Sequence, residues 1–137
     1  MADERDDTFN AVRAILVKAA GGLAVVKDTA TTYELRGTQP VTIGARKLDA
    51  MCFASVVKAK NDVALYFFPS YTHPSEIGAL PAILAKCRTG KSCFHVGHAD
   101  RAILAAIRGL VMKGKAVYKK SGWIGVIGAE DGKPGRP

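Results

Sequence analysis

The stretch Ala85–His98, "AKCRTGKSCFHVGH", gathers side chains that could do chemistry. Cys87, Cys93, His95 and His98 place four metal-type ligands within twelve residues. The same stretch fits a relaxed phosphate-loop pattern, with Ala85, four spacers and then Gly90-Lys91-Ser92. A phosphate loop follows a strand and opens a helix, so that backbone N–H groups face the phosphates. Here the order is inverted, because the residues before Ala85 read as helical and those after Ser92 as a strand. The expectation is a turn at Thr89-Gly90 with Lys91 on the surface. For a metal the ligands must converge. Cys93 and His95 share one side of a strand, since side chains alternate. The spacing of the four matches no standard zinc pattern, so no metal or other cofactor is expected. A Cys93–His95 pair could also be a nucleophile and its base, although side chains two apart on a strand diverge. His73, between Thr72 and Pro74, reads as a loop residue. No catalytic residue is assigned.

The elements that must hold these residues follow from hydrophobic period. Phe9, Val12, Ile15, Leu16 and Ala19 recur at helical spacing, which predicts a first helix over about residues 8–20. Asp7 or Thr8 offers a cap, and Gly21-Gly22 a stop. Thr32–Arg36 reads as a strand, and Val41–Ile43 as a short extended piece. Met51–Lys58 and Val63–Phe68 read as a hairpin, with turn chemistry at Lys60-Asn61-Asp62. Residues 69–78 read as a Pro-rich loop, Ile77–Lys86 as a short helix or turn, and Ser92–Val96 as a strand. Ile103, Ile107, Leu110, Val111, Val117 and Tyr118 form the stripe of a long last helix, with Asp100 at its N-terminus. Residues 1–124 are expected to form a single domain, and 125–137 a Gly/Pro-rich mobile tail.

Both parities of the hairpin are apolar. Number parity alone puts Phe53, Val57, Leu65 and Phe67 on one face, and Ala54, Val56, Tyr66 and Phe68 on the other. A half-exposed antiparallel hairpin should alternate with polar residues. The second face therefore needs a cover: a second subunit in a homodimer, a small-molecule ligand, or the segment around Trp123 folding back. Ala54, Val56, Tyr66, Phe68, Cys93, His95 and Trp123 are the candidate ligand or interface residues.

Composition limits the function classes. The chain has 137 residues, is 48% hydrophobic and carries a net charge of +8. No apolar run approaches the roughly 18 residues of a membrane span, so no membrane partner is expected. The acidic "MADERDDTFN" is not a secretory signal. Three cysteines predict reduced thiols and a cytoplasmic protein. Residues 86–120 carry nine Lys/Arg against Asp100 alone. Arg101, Arg108 and Lys115 align on one helical face, which reads as a solvated surface and not as a nucleic-acid site.

Four segments occur in an order that resembles the YdhG-like family of small bacterial proteins: "KDTATTYEL", "FASVVKAKNDVALYFFPSY", "GKSCFHV" and "AILAAIRGLVMKGKAVYKKSGWI". The resemblance covers Lys27–Ile124. It implies an α+β fold, an antiparallel sheet with helices packed on one face. Some relatives are similar to frataxin, which would imply an intracellular iron chaperone. Such iron binding uses clustered surface carboxylates, whereas the matched segments here are basic. The function expected is a non-enzymatic cytoplasmic domain that binds a small ligand or a protein partner through the second sheet face. The rivals are an iron or metal chaperone and a small enzyme using Cys93 and His95.

Overall fold

The computed structural model describes residues 4–90 and 92–124. The tail expected over 125–137 and Lys91 lie outside the described residues. The chain runs α1 (Glu4–Ala19), β1 (Ala24–Asp28), β2 (Thr32–Arg36), β3 (Val41–Ile43), β4 (Arg46–Leu48), β5 (Cys52–Lys58), β6 (Val63–Phe67), α2 (Pro69–Thr72), α3 (Pro74–Ile77), α4 (Ala82–Ala85), β7 (Arg88–Thr89), β8 (Cys93–Val96) and α5 (Arg101–Lys120). The fold is α+β, as expected. Six antiparallel strands in the order β1-β2-β5-β6-β8-β7 form the main sheet, and helices pack against it. β3 and β4 make a separate small hairpin.

The β5–β6 hairpin sits at the centre of the sheet. Its helix-covered face carries Tyr33, Leu35, Ala54, Val56, Leu65, Phe67, Phe94 and Val96, all in the core cluster. α1 adds Phe9, Val12 and Leu16, and α5 adds Ile107, Val111 and Tyr118. Phe53 meets Phe67 and Tyr118 edge-on, with ring centroids 5.8 and 5.4 Å apart. Gly114 lets α5 approach this face closely. A Cβ there would lie 2.3 Å from the Phe67 ring and 2.9 Å from Pro69.

Register corrects the expected division of the hairpin. Lys58 pairs with Val63, so four residues lie between the paired ends. An even loop makes odd residues of β6 face the same way as even residues of β5. Ala54 pairs with Phe67 and Val56 with Leu65, and both pairs lie under the helices. Ala54 and Val56 are therefore core residues and not part of a second face. Val57 moves the other way and joins Tyr66. Phe53 is the extra residue of a bulge in β5, where Leu35 pairs with Ala54 and Arg36 with Cys52. A bulge breaks strict alternation, which is why Phe53 can reach the core beside Ala54.

Three further boundaries differ from the sequence expectation. α1 begins at Glu4, so Thr8 is buried inside the helix and does not cap it. Its first turn holds Glu4, Asp6 and Asp7, which complement the helix dipole. Asp6 pairs with Lys58, and Glu4 with His98. β1 extends the sheet beyond the elements expected; its "AVVKD" lacks the alternation of a half-buried strand because it lies at the sheet's edge. The Pro-rich segment holds α2 and α3, each opened by a proline at its first turn, where the missing N–H costs nothing.

Candidate functional site on the open sheet face

The face away from the core is built from two rows of cross-strand neighbours. One row runs Lys27, Glu34, Ser55, Tyr66, Cys93 across β1, β2, β5, β6 and β8. The next runs Thr32, Val57, Ala64, His95. Directly opposed residues in adjacent strands bring their side chains to within about 5 Å, so each row is a contiguous surface. Lys27, Tyr66 and His95 are open to solvent, with Tyr66 37% exposed. Ser55 and Ala64 are short, so their taller neighbours leave a concavity of about 400 Å³ lined by Lys27, Thr32, Glu34, Ser55, Val57, Tyr66 and Phe68. Cys52 borders it and offers its thiol to Glu34 at 3.9 Å. Burial, and next the Glu34 carboxylate, push that thiol's pKa up.

Cys93 and His95 stand at the β8 end of these rows. The Cys93 sulfur lies 3.8 Å from His95 Nε2. His95 Nδ1 faces the carboxylate of Asp62, 3.1 Å from Oδ2 and 3.3 Å from Oδ1. Tyr66 stands directly opposite Cys93 across the β6–β8 pairing. Burial raises the Cys93 thiol pKa, the neighbouring Tyr66 hydroxyl pulls it down, and the Asp62 charge raises it. Asp62 belongs to the β5–β6 turn, which folds back with Ala59 N–H donating to Asp62 O at 2.9 Å. The sequence marks Asp62 only as turn chemistry. Its carboxylate reaches β8 because β8 pairs beside β6, an adjacency that sequence spacing does not reveal.

The candidate residues thus separate. Tyr66, Phe68, Cys93 and His95 gather on the open face, and Ala54 and Val56 are beneath it. Trp123 folds back, but onto His73 and Tyr118, with ring centroids 4.7 and 4.8 Å away, and it lines no part of the concavity. Its carbonyl accepts from Thr38 and Gln39 N–H groups at 3.0 and 3.2 Å. His73, expected as a loop residue, links α2 to α3 and meets Ser121 Oγ at 2.9 Å and Thr72 Oγ1 at 2.8 Å.

The four metal-type residues do not converge. Cys87 donates to the Ile83 carbonyl at 3.3 Å, and His98 pairs with Glu4, whose hydrogen bond and charge raise the imidazole pKa. Among the described residues no group of three or more His, Cys, Asp or Glu is placed to hold a metal ion. The phosphate-loop order is inverted here too: α4 precedes the stretch, Gly90 turns at φ 70°, and β8 follows. A second concavity of about 400 Å³ lies between α1 and α5, lined by Ala11, Ile15, Leu104, Val111 and Met112, with Lys18 and Arg108 among its walls. Nothing in the sequence pattern marks it.

Comparison with known proteins changes two expectations. No protein-family model matches the chain, and no solved structure matches it. The chain is similar to CASP-like protein 2U3 of the plant Pteridium aquilinum subsp. aquilinum, 38% identical over 77 residues. That match takes in 56% of this chain and 39% of the relative, so the chain spans well under half the length of the curated relative it matches. The resemblance to a bacterial YdhG-like family is overturned, since the match found leads to a plant protein of another family. The segments that suggested it are those of a hairpin, a turn and an amphipathic helix, patterns that core packing demands in many folds. The cytoplasmic expectation falls with it, because CASP-like proteins are a membrane-protein family. No helix among the described residues is long and apolar enough to cross a membrane.

Proposed function

We propose that this domain binds a small ligand on the open face of its sheet. The concavity of about 400 Å³ between Lys27 and Phe68 carries the reading. Its size suits a small molecule, and its lining sets the apolar Val57, Tyr66 and Phe68 beside four polar or charged side chains. Tyr66, Phe68 and Val57 offer a surface for a flat apolar body. Ser55 and Thr32 offer hydroxyls, and Lys27 and Glu34 bring charges of opposite sign to one end. A ligand with an aromatic or unsaturated body and a polar end fits this arrangement.

Fragment binding followed by backbone amide shifts tests it. The expected result is a set of perturbations on Thr32, Ser55, Val57, Tyr66 and Phe68 that weakens in Tyr66→Ala. Perturbations confined to Ala11, Leu104 and Met112 would move the site to the groove between α1 and α5. Self-association through the sheet face is the competing occupant, and concentration-dependent shifts on the same residues without any fragment would identify it. A second reading, an enzyme using Cys93 and His95, is favoured by the contact of His95 with Asp62.

A further inference from the structure

Three side chains at the β8 end of the open face form a connected relay. Asp62 faces His95 Nδ1 at 3.1 Å, and His95 Nε2 faces the Cys93 sulfur at 3.8 Å. A carboxylate beside Nδ1 holds the proton on that nitrogen and leaves the lone pair on Nε2. That lone pair is the one turned toward the thiol. A nucleophile, a base and a group that orients the base are the parts of an activated nucleophile. All three are positioned by paired strands or by the turn that joins them. Cys93 opposes Tyr66 and His95 opposes Ala64, while the His95 backbone N–H donates to the Cys87 carbonyl at 2.9 Å.

The other two thiols provide an internal comparison. Cys52 faces a carboxylate, and Cys87 gives its hydrogen bond to a backbone carbonyl. Neither has an imidazole as acceptor among its described contacts. Burial and the Asp62 charge raise the Cys93 thiol pKa, against the pull of the neighbouring Tyr66 hydroxyl. The resting group is then a neutral thiol, and it needs a base to take its proton as it attacks.

We propose that Cys93 is a nucleophilic thiol with His95 as its general base and Asp62 as the positioning residue, acting on an α,β-unsaturated carbonyl compound. As the Sγ–C bond forms at the β-carbon, the thiol proton passes to His95 Nε2. The C=C electron pair moves to the α-carbon as an enolate. The enolate then takes the proton back from His95, so the step is an addition without leaving group or co-reactant. Tyr66, which pairs with Cys93 across the strands and lines the concavity, is the hydroxyl placed to act as a donor to the carbonyl of such a compound. The choice of substrate rests on the ligand-binding reading of this face; the activation of the thiol does not.

N-ethylmaleimide, itself an α,β-unsaturated carbonyl, tests the proposal on the full chain. The protein is treated with less than one equivalent, and the adduct is located by peptide mass spectrometry. Cys93 should be modified about a hundredfold faster than Cys52 and Cys87, the low end of what a positioned base supplies. His95→Gln should lower the Cys93 rate by about a hundredfold and leave the other two rates unchanged. Faster modification of Cys52 and Cys87 in that variant would report loss of fold, and His95→Asn then takes its place. Asp62→Asn should reduce the Cys93 rate, Asp62→Glu should restore it, and the ¹⁵N shifts of His95 should reveal a changed tautomer only in the Asn variant. Equal rates at the three cysteines, or a Cys93 rate indifferent to His95, overturns the proposal. Fast, His95-dependent labelling that survives Tyr66→Ala while fragment binding is lost would retain the thiol site and remove only its link to the concavity.

Discussion

Tyr118 carries its hydroxyl into the core and donates to the Cys52 carbonyl at 2.8 Å. Burial pushes this phenol well above its ordinary range. In the unfolded chain it ionises near the usual value of about 10, while in the folded chain it keeps its proton. The folded state then binds more protons, so its contribution is complete below about pH 10 and declines as pH rises further. Urea midpoints measured on either side of that value should show an alkaline loss that is smaller in Tyr118→Phe. At neutral pH the same change should cost about 0.5–1.5 kcal/mol for the lost hydrogen bond. Ile107 is fully buried, and Ile107→Ala should cost about 2–5 kcal/mol in the same assay. A loss under about 0.5 kcal/mol would remove that side chain from the core. Its burial is legible in the sequence because a helical stripe needs only local spacing. The face taken by Ala54 and Val56 is not, since it depends on whether the loop between paired strands is even or odd. The Asp62–His95 contact is less legible still, because it joins residues 33 apart through strand pairing.

At the scale of elements, α5 contains two glycines with opposite roles. Gly114 is buried against Phe67 and Pro69, where an added methyl meets atoms at 2.3 and 2.9 Å. Gly109 has nothing within 4 Å of its would-be Cβ. Gly109→Ala should therefore stabilise by about 0.5–1 kcal/mol through helix propensity alone. Gly114→Ala gains the same propensity but forces the helix off the sheet, and should lose about 1–3 kcal/mol on balance. Thermal or urea unfolding of the two variants checks this, and the same sign for both would contradict the packing. The hairpin, β8 and α5 are legible in the sequence because each has a clear period and a recognisable end. Asp100 is one such end, accepting from Ile103 N–H at 2.8 Å. β1 is not legible, since an edge strand has no face that must be apolar. α1 extends past its apolar stripe because Asp6 and Glu4 find Lys58 and His98, partners that only the tertiary fold brings near.

At the scale of the whole molecule, the six-stranded sheet has two edges among the described residues, β7 and β1, and both are blunted. β7 has only two residues, and β1 carries Lys27 beside a bulge between Val25 and Lys27. Short strands, edge lysines and bulges each discourage pairing with another chain. The open face, once Ala54 and Val56 are placed in the core, is crossed by a polar row and not by a continuous apolar patch. These features favour a monomer, with Trp123 serving the fold instead of the open face. Its carbonyl holds Thr38 and Gln39, its ring packs on Tyr118, and Ile124 beside it is buried. A chain ending at Ser121 should remain monomeric but lose about 3–5 kcal/mol, as deletion of a large packed side chain does. For a domain of this size that lowers Tm by on the order of 10 °C. Sedimentation and thermal unfolding of the full and shortened chains check both parts. A full chain that sediments as a dimer would restore the sheet face, or the edge at β1, as a contact between copies. An unchanged Tm after shortening would mean that the segment following α5 does not help to hold β2 and the loop behind it against the helix.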